Sequence, residues 1–154
     1  MKLLFLDIDG VLVTYSTMEK RKMENLGRES EGLFGQEFVD RLRTIVDKTG
    51  AFIVLSSAWR IGRLSYYDVA TYLAKFGIPV IDRTDCLNYT RVRGEEIQIV
   101  LDEVEKDLVS YCIVDDDSDM LESQKPYFVQ TTLWDGLTQD AAEKIIAILN
   151  ERQT

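Results

Sequence analysis

At 154 residues the chain has the length of one domain, enough to bury about two-thirds of the surface its unfolded form would expose. Its 45% hydrophobic and 29% charged residues are those of a soluble globular protein, and no apolar stretch approaches the roughly 18 residues needed to cross a bilayer. A formal charge of −9 argues against a protein that coats nucleic acid through a general positive field, and the lack of histidine removes Ser-His-Asp catalysis and histidine zinc sites.

The first element is read in LLFLDIDGVL. Leu3 to Leu6 form a short apolar run ended by a turn signal, the pattern of a strand covered on both faces. Asp7 and Asp9 then stand where that strand leaves the core, ahead of Gly10. Two carboxylates so placed repel each other, so a divalent cation, a proton or hydrogen bonds from the turn must offset the cost. From about Thr14 to Gly35 charges mix with glycines without a period, which predicts a long flap or loop. Phe38, Leu42, Ile45 and Val46 then mark a helix stopped by Gly50, and Ala51 to Leu55 a strand that ends in Ser56. Val69, Tyr72, Leu73 and Phe76 mark a second helix closed by Gly77, with Ile78 to Ile81 as a strand after it. A third helix carries Ile97, Val100, Leu101, Val104 and Leu108 and leads into the strand Val109 to Val114, which ends at Asp115. Tyr127 to Gln130 is a weaker strand, and a last helix runs from about Thr138, its cap, to Asn150.

Strands alternating with helices predict right-handed βαβ units. The expected fold is a three-layer, Rossmann-like α/β sandwich with a central parallel sheet, in one domain over residues 1–154 with the flap as its sole insert. Ligands of such sheets bind beyond the carboxyl ends of the strands, where Asp7, Asp9, Ser56, Asp115 and Asp116 fall. The start MKLLFLDIDG is not expected to be a signal peptide, because carboxylates cut the apolar run short and no small-residue cleavage site follows. Cys86 and Cys112, far apart, fit a reducing compartment, so a cytoplasmic location is expected; Cys112 lies in an apolar run as a buried hydrophobe.

YCIVDDDSDM repeats the logic of the N-terminus, a strand running into Asp115, Asp116, Asp117 and Asp119. Two acidic strand ends on one edge make a hard-oxygen site, better suited to Mg²⁺ than to Ca²⁺, which wants a fuller oxygen cage. An EF-hand is excluded because Met120 and Pro126 stand where it needs glycine and glutamate. Asp117 and Asp119 read better as helix-start residues than as ligands. Taken singly, D-x-D-G is as readily a turn, Ser56 and Ser57 caps, and Arg91 and Arg93 solvated cations; it is their order along the chain that points to a site.

In that order the chain resembles the haloacid-dehalogenase-like phosphatases. DIDGVL is similar to their first motif, the serine ending AFIVLSS to the second, a basic residue before the third helix to the third, and VDDD to the fourth. SSAWR, RGEEI, VDDDSD and GLT further resemble the small members found alone or within nucleic-acid end-repair proteins. The resemblance implies Asp7 as nucleophile forming an aspartyl-phosphate, and Asp9 as the acid and base whose carbonyl also meets the metal. It implies Ser56 as a donor to the phosphoryl group, Arg93 as its neutralising cation, and Asp7, Asp9, Asp115 and Asp116 around Mg²⁺. Arg91, two residues from Arg93, stays open as the cation, and Ser57, Trp59, Arg60 and Arg91 are the candidate substrate contacts.

Other enzyme classes fail on spacing. Val92 stands where a cysteine phosphatase needs arginine after Cys86, and no Walker A loop partners LLFLD. A receiver-like phosphoacceptor would carry its acidic pair after the first strand and its phosphoacceptor after a later one, whereas here Asp7 and Asp9 are separated by Ile8 and the acidic cluster comes late. A catalytically idle metal-binding module is the third reading. The flap is too short for a folded cap, and from Ser57 to Arg93 six basic residues face three acidic ones. An open site beside a basic segment suits a polymeric phosphate such as a polynucleotide 3′-phosphate end, with nucleotides or small metabolites as the alternative. The sequence leaves the oligomeric state open.

Overall fold

The structure is a computed structural model that describes residues 1–24, 34–58, 66–85 and 92–153. Five strands, β1 (Lys2–Leu6), β2 (Phe52–Leu55), β3 (Val80–Arg83), β4 (Ser110–Asp115) and β5 (Phe128–Gln130), form one parallel sheet in the order β3-β2-β1-β4-β5. Helices α1 (Tyr15–Met23), α2 (Gln36–Thr49), α3 (Tyr66–Ala74), α4 (Arg93–Val104) and α5 (Gln139–Asn150) connect and cover it, and a 3₁₀ helix, Glu122–Tyr127, precedes β5. This is the Rossmann-like α/β architecture that the alternation predicts.

The pleat explains why the central strands read as unbroken apolar runs. Leu4, Leu6, Ile53, Leu55, Cys112 and Val114 face one core with Leu42, Ile45, Val69, Leu73, Ala142 and Ile145. Leu3, Phe5, Val54 and Ile113 face the other with Ile97, Val100 and Leu101 of α4. Each face of the sheet is covered, so period-2 polarity disappears. Cys112 is fully enclosed, and burial pushes its thiol up, as suits a packed hydrophobe. Cys86 lies outside the described residues.

Strand order reverses at β1. The chain winds outward through β2 and β3, then crosses back to place β4 on the other side of β1, with Leu3 opposite Tyr111 and Leu6 opposite Val114. A reversal of this kind leaves a crevice at the carboxyl ends of the two strands, since their connections depart in opposite directions. Asp7 and Asp115 stand at that crevice. The predicted ends shift little elsewhere. The third strand begins at Val80, because Pro79 has no N–H for a ladder, and α4 ends at Val104 while Leu108 still packs through a turn that bonds its N–H to the Val104 carbonyl. Thr138 caps α5 as expected, its hydroxyl accepting the Ala141 N–H at 3.1 Å.

The predicted flap differs from an irregular loop in its first half, which is the helix α1; residues 25–33 lie outside the described residues. None of its residues is buried, so it has no apolar stripe to read. Local bonds specify it instead. The Thr14 hydroxyl accepts the Thr17 N–H while the Thr17 hydroxyl accepts the Thr14 N–H, and Lys20, Arg21 and Lys22 complement the dipole in its last turn. No described helix is long and apolar enough to cross a membrane.

Candidate active site

Asp7 follows β1, and its N–H donates to the Val114 carbonyl at 3.1 Å, tying it to the end of β4. The chain then turns at once: the Ile8 carbonyl accepts from Val11, Leu12 and Val13, and Gly10 donates to Val13. Gly10 takes φ +76, a region open to glycine, and a Cβ there would lie 2.5 Å from that of Asp116. The glycine after the first acidic pair therefore makes room for the second acidic strand end. Asp9 sits half-buried in the same turn, bridged through its backbone to Val13.

Carboxylate oxygens of Asp7, Asp115 and Asp116 lie within 4.8 Å of one another. Facing them is Arg93, whose Nη1 stands 3.7 Å from Asp7 Oδ1 and 3.6 Å from Asp115 Oδ2. Arg93 is the first residue of α4, and the loop after β4 holds it there. Asp119 Oδ2 accepts the Arg93 N–H at 2.9 Å, and the Asp119 carbonyl accepts that of Gly94 at 3.1 Å, so one residue satisfies two donors at the start of the helix. Asp119 is thus a helix-start residue, but of α4 and not of the 3₁₀ helix that follows it in sequence. Gly94 lets this loop approach, since a Cβ on it would meet Gln124 Oε1 and Leu121 N at 2.6 Å.

The electrostatics of the site are unbalanced. Burial raises Asp7 to about 6, against the pull of Arg93 and of hydrogen bonds from the Ser57 hydroxyl and the Ile8 N–H. Burial and the Asp7 charge raise Asp115 further, to about 8. Asp115 Oδ1 accepts the Asp117 N–H at 3.0 Å, but its buried Oδ2 has no hydrogen-bond partner, and neither has the buried Nη1 of Arg93. Three clustered carboxylates opposed by one guanidinium are a donor set that fits a hard divalent cation, which would relieve the repulsion and occupy the bare oxygen.

Of the other predicted residues, Ser56 and Ser57 are fully buried at the end of β2, with the Ser56 N–H on the Leu6 carbonyl at 2.9 Å. The Ser57 side chain hydrogen-bonds to Asp7. Trp59, Arg60 and Arg91 lie outside the described residues. Two contributions escaped the sequence reading, the cap from Asp119 across to Arg93 and the closing of β5 onto β4 by the Thr131 N–H on the Asp115 carbonyl at 3.0 Å. Both join residues distant in sequence. The only hint was an aspartate and a threonine just past strand ends.

A parallel sheet whose reversal point gathers acidic strand ends around one arginine defines an α/β domain with its candidate site at the carboxyl ends of the strands. The chain belongs to the family described as the HAD domain in Swiss Army Knife RNA repair proteins, whose model it matches over residues 3–142. That family implies a phosphatase-type function. No curated protein and no solved structure matches the chain.

Proposed function

We propose that the chain is a Mg²⁺-dependent phosphomonoesterase that removes the 3′-phosphate from a polynucleotide end through an aspartyl-phosphate on Asp7. The observation that carries this reading is the cluster of Asp7, Asp115 and Asp116 facing Arg93 at the reversal point of the sheet. Asp7, Asp115 and Asp116, with the Asp9 carbonyl, would hold Mg²⁺, which when bound supplies positive charge against the phosphoryl oxygens and the attacking carboxylate alike. A carboxylate oxygen of Asp7 attacks phosphorus, the bond to the leaving oxygen breaks, and the Asp9 carboxyl gives that oxygen its proton. Asp9, now ionised, takes a proton from water as the water oxygen attacks the same phosphorus, which frees phosphate and restores Asp7. Arg93 neutralises charge on the phosphoryl oxygens, and Ser56 donates to them. Attack needs ionised Asp7, which the Arg93 charge and the Ser57 hydroxyl both favour.

The substrate assignment draws on the family's link to RNA repair and on the short insert after β1. The experiment measures phosphate release from p-nitrophenyl phosphate, mononucleotides and a 3′-phosphorylated oligoribonucleotide, with Mg²⁺ or with EDTA, by the parent chain and by Asp7→Asn. Release that needs Mg²⁺, is lost in Asp7→Asn and is fastest on the oligonucleotide is the expected result. Equal kcat/KM on small esters overturns the polymeric substrate. A phosphoaspartate that persists for hours makes the chain a phosphoacceptor, and no release at all makes it an idle metal-binding module.

A further inference from the structure

Among the described residues, Trp134 is the most exposed aromatic side chain, with 78% of its surface open, and Tyr15 beside it is 41% open. The two rings are in contact, with centroids 4.7 Å apart at 55°. Two exposed aromatic rings held in contact with each other call for a reason. The pair is not a floppy excursion, because Trp134 rides a braced turn. The Asp135 N–H donates to the Thr132 hydroxyl at 3.1 Å, and the Gly136 N–H to the Thr132 carbonyl at 2.8 Å. Gly136, at φ +62, lies against Phe38 and Thr14. The Tyr15 N–H bonds to the Leu133 carbonyl and the Leu137 N–H to the Val11 carbonyl, both at 2.9 Å, which fastens this turn to the loop that carries Asp7 and Asp9.

Position and charge then narrow the partner. Trp134 is three residues past Thr131, which bonds to the Asp115 carbonyl, so its Cα lies within about 11 Å of the Thr131 Cα at the rim of the site. Tyr15, Met18 and Lys22 follow at helical spacing on one face of α1, and Lys20 and Arg21 directly precede Lys22. Glu19 and Glu24 leave this helix with a net positive end, a contrast with the −9 of the whole chain. Aromatic rings interleaved with cations at the edge of a phosphate site are the parts of a single-stranded nucleic-acid platform, since every base offers a π-face and every linkage a negative charge.

We propose that Trp134 and Tyr15 form a stacking platform for a base upstream of the terminal phosphate, with Lys22 beside the backbone. The inference rests on the phosphatase reading for what lies in the site and adds what holds the polymer. A stacked strand advances about 3.4 Å per nucleotide, so the platform meets the chain within about three to four nucleotides of the phosphate.

The test compares the parent chain with Trp134→Ala and Trp134→Phe on 3′-phosphorylated oligoribonucleotides of one to six nucleotides and on p-nitrophenyl phosphate. In the parent, kcat/KM is expected to rise with length and level off near four nucleotides. Trp134→Ala lowers the ratio of kcat/KM for the hexamer over that for p-nitrophenyl phosphate about tenfold, chiefly through KM, and Trp134→Phe restores most of it. A hexamer abasic at the upstream positions loses the same factor with the parent and nothing more with Trp134→Ala. An unchanged ratio in Trp134→Ala, or full activity on the abasic hexamer, overturns the platform. Hydrolysis of p-nitrophenyl phosphate reports separately on the phosphatase reading. Should that hydrolysis fail, the quenching of tryptophan fluorescence by the hexamer decides, compared between the parent chain and Trp134→Phe: quenching that the parent shows and Trp134→Phe lacks supports the platform, and equal or no quenching in the two overturns it.

Discussion

Gly10 and Asp116 occupy one space, for a Cβ on Gly10 would fall 2.5 Å from the Cβ and 2.8 Å from Oδ2 of Asp116. The turn after β1 and the acidic end of β4 are therefore fitted to each other through the lack of a side chain. Gly10→Ala meets two penalties, a left-handed backbone at φ +76 and a clash that pushes Asp116 out of the carboxylate cluster. The first alone costs about 1–2 kcal/mol. The variant is expected to melt several degrees lower and to need at least tenfold more Mg²⁺ for half-maximal phosphate release. Parent-like metal dependence in a folded Gly10→Ala would show that Asp116 does not bind the ion.

The carboxyl pair makes stability depend on pH in an unusual sense. Asp7 is raised to about 6 and Asp115 to about 8, from 3.8 in the unfolded chain. Between those limits the folded protein holds more protons than the unfolded one, so unfolding becomes easier as pH rises. In EDTA, the melting temperature is expected to fall by on the order of 10 °C between pH 5 and pH 8.5. Asp7→Asn removes one of the two charges and flattens the slope. Saturating Mg²⁺ is expected to raise the melting temperature more at pH 8.5 than at pH 5, because the ligands proposed for it are carboxylates that must be ionised to bind. A metal-free protein equally stable at both pH values would contradict the burial of these two groups.

Arg93 is the only cation that the described residues place against either Asp7 or Asp115. Removing it leaves two buried carboxylates facing each other, a change that costs far more than an exposed ion pair would. Arg93→Ala is expected to lower kcat by about 10²–10³, the usual loss when a donor to a transition-state oxygen disappears. Its stability deficit in EDTA grows from pH 5 to pH 8.5 as both acids ionise. Chemical denaturation at the two pH values, run beside the activity assay, separates the catalytic loss from the structural one. A deficit that did not change with pH would remove the ion pairs from the account.

The sequence disclosed elements whose stability comes from burial. Leu3 to Leu6 and Tyr111 to Val114 are apolar because each face of their sheet is covered, and that shows in one dimension. The acidic ends of β1 and β4 were equally legible, since a carboxylate at the end of a buried strand is costly enough to stand out. Helix α1 was not legible, because none of its residues is buried and its start is set by the paired hydroxyls of Thr14 and Thr17. The hydrogen bond from the Ser57 side chain to Asp7 was not legible either, since it joins the ends of two different strands. Contacts between polar side chains depend on rotamers and on loops meeting in space, and no periodicity records them.

The cap on α4 tests how Arg93 is positioned. Asp119 receives the N–H of Arg93 through its side chain and that of Gly94 through its carbonyl, while its buried Oδ1 has no hydrogen-bond partner. Replacing a helix-capping acceptor by alanine usually costs about 1 kcal/mol, or about 2–4 °C in a domain of this size. Asp119→Ala is expected to show that loss and, because the freed N–H no longer fixes the first turn of α4, a fall of about tenfold in kcat/KM on p-nitrophenyl phosphate. Asp119→Asn keeps an oxygen that accepts the Arg93 N–H, so it is expected to recover most of the rate and most of the stability. The two variants separate cap from charge: if Asn fails as badly as Ala, the negative charge of Asp119 acts directly on the cluster. If Ala loses the expected stability but keeps the parent rate, Arg93 is held by its ion pairs with Asp7 and Asp115 and not by its place in the helix.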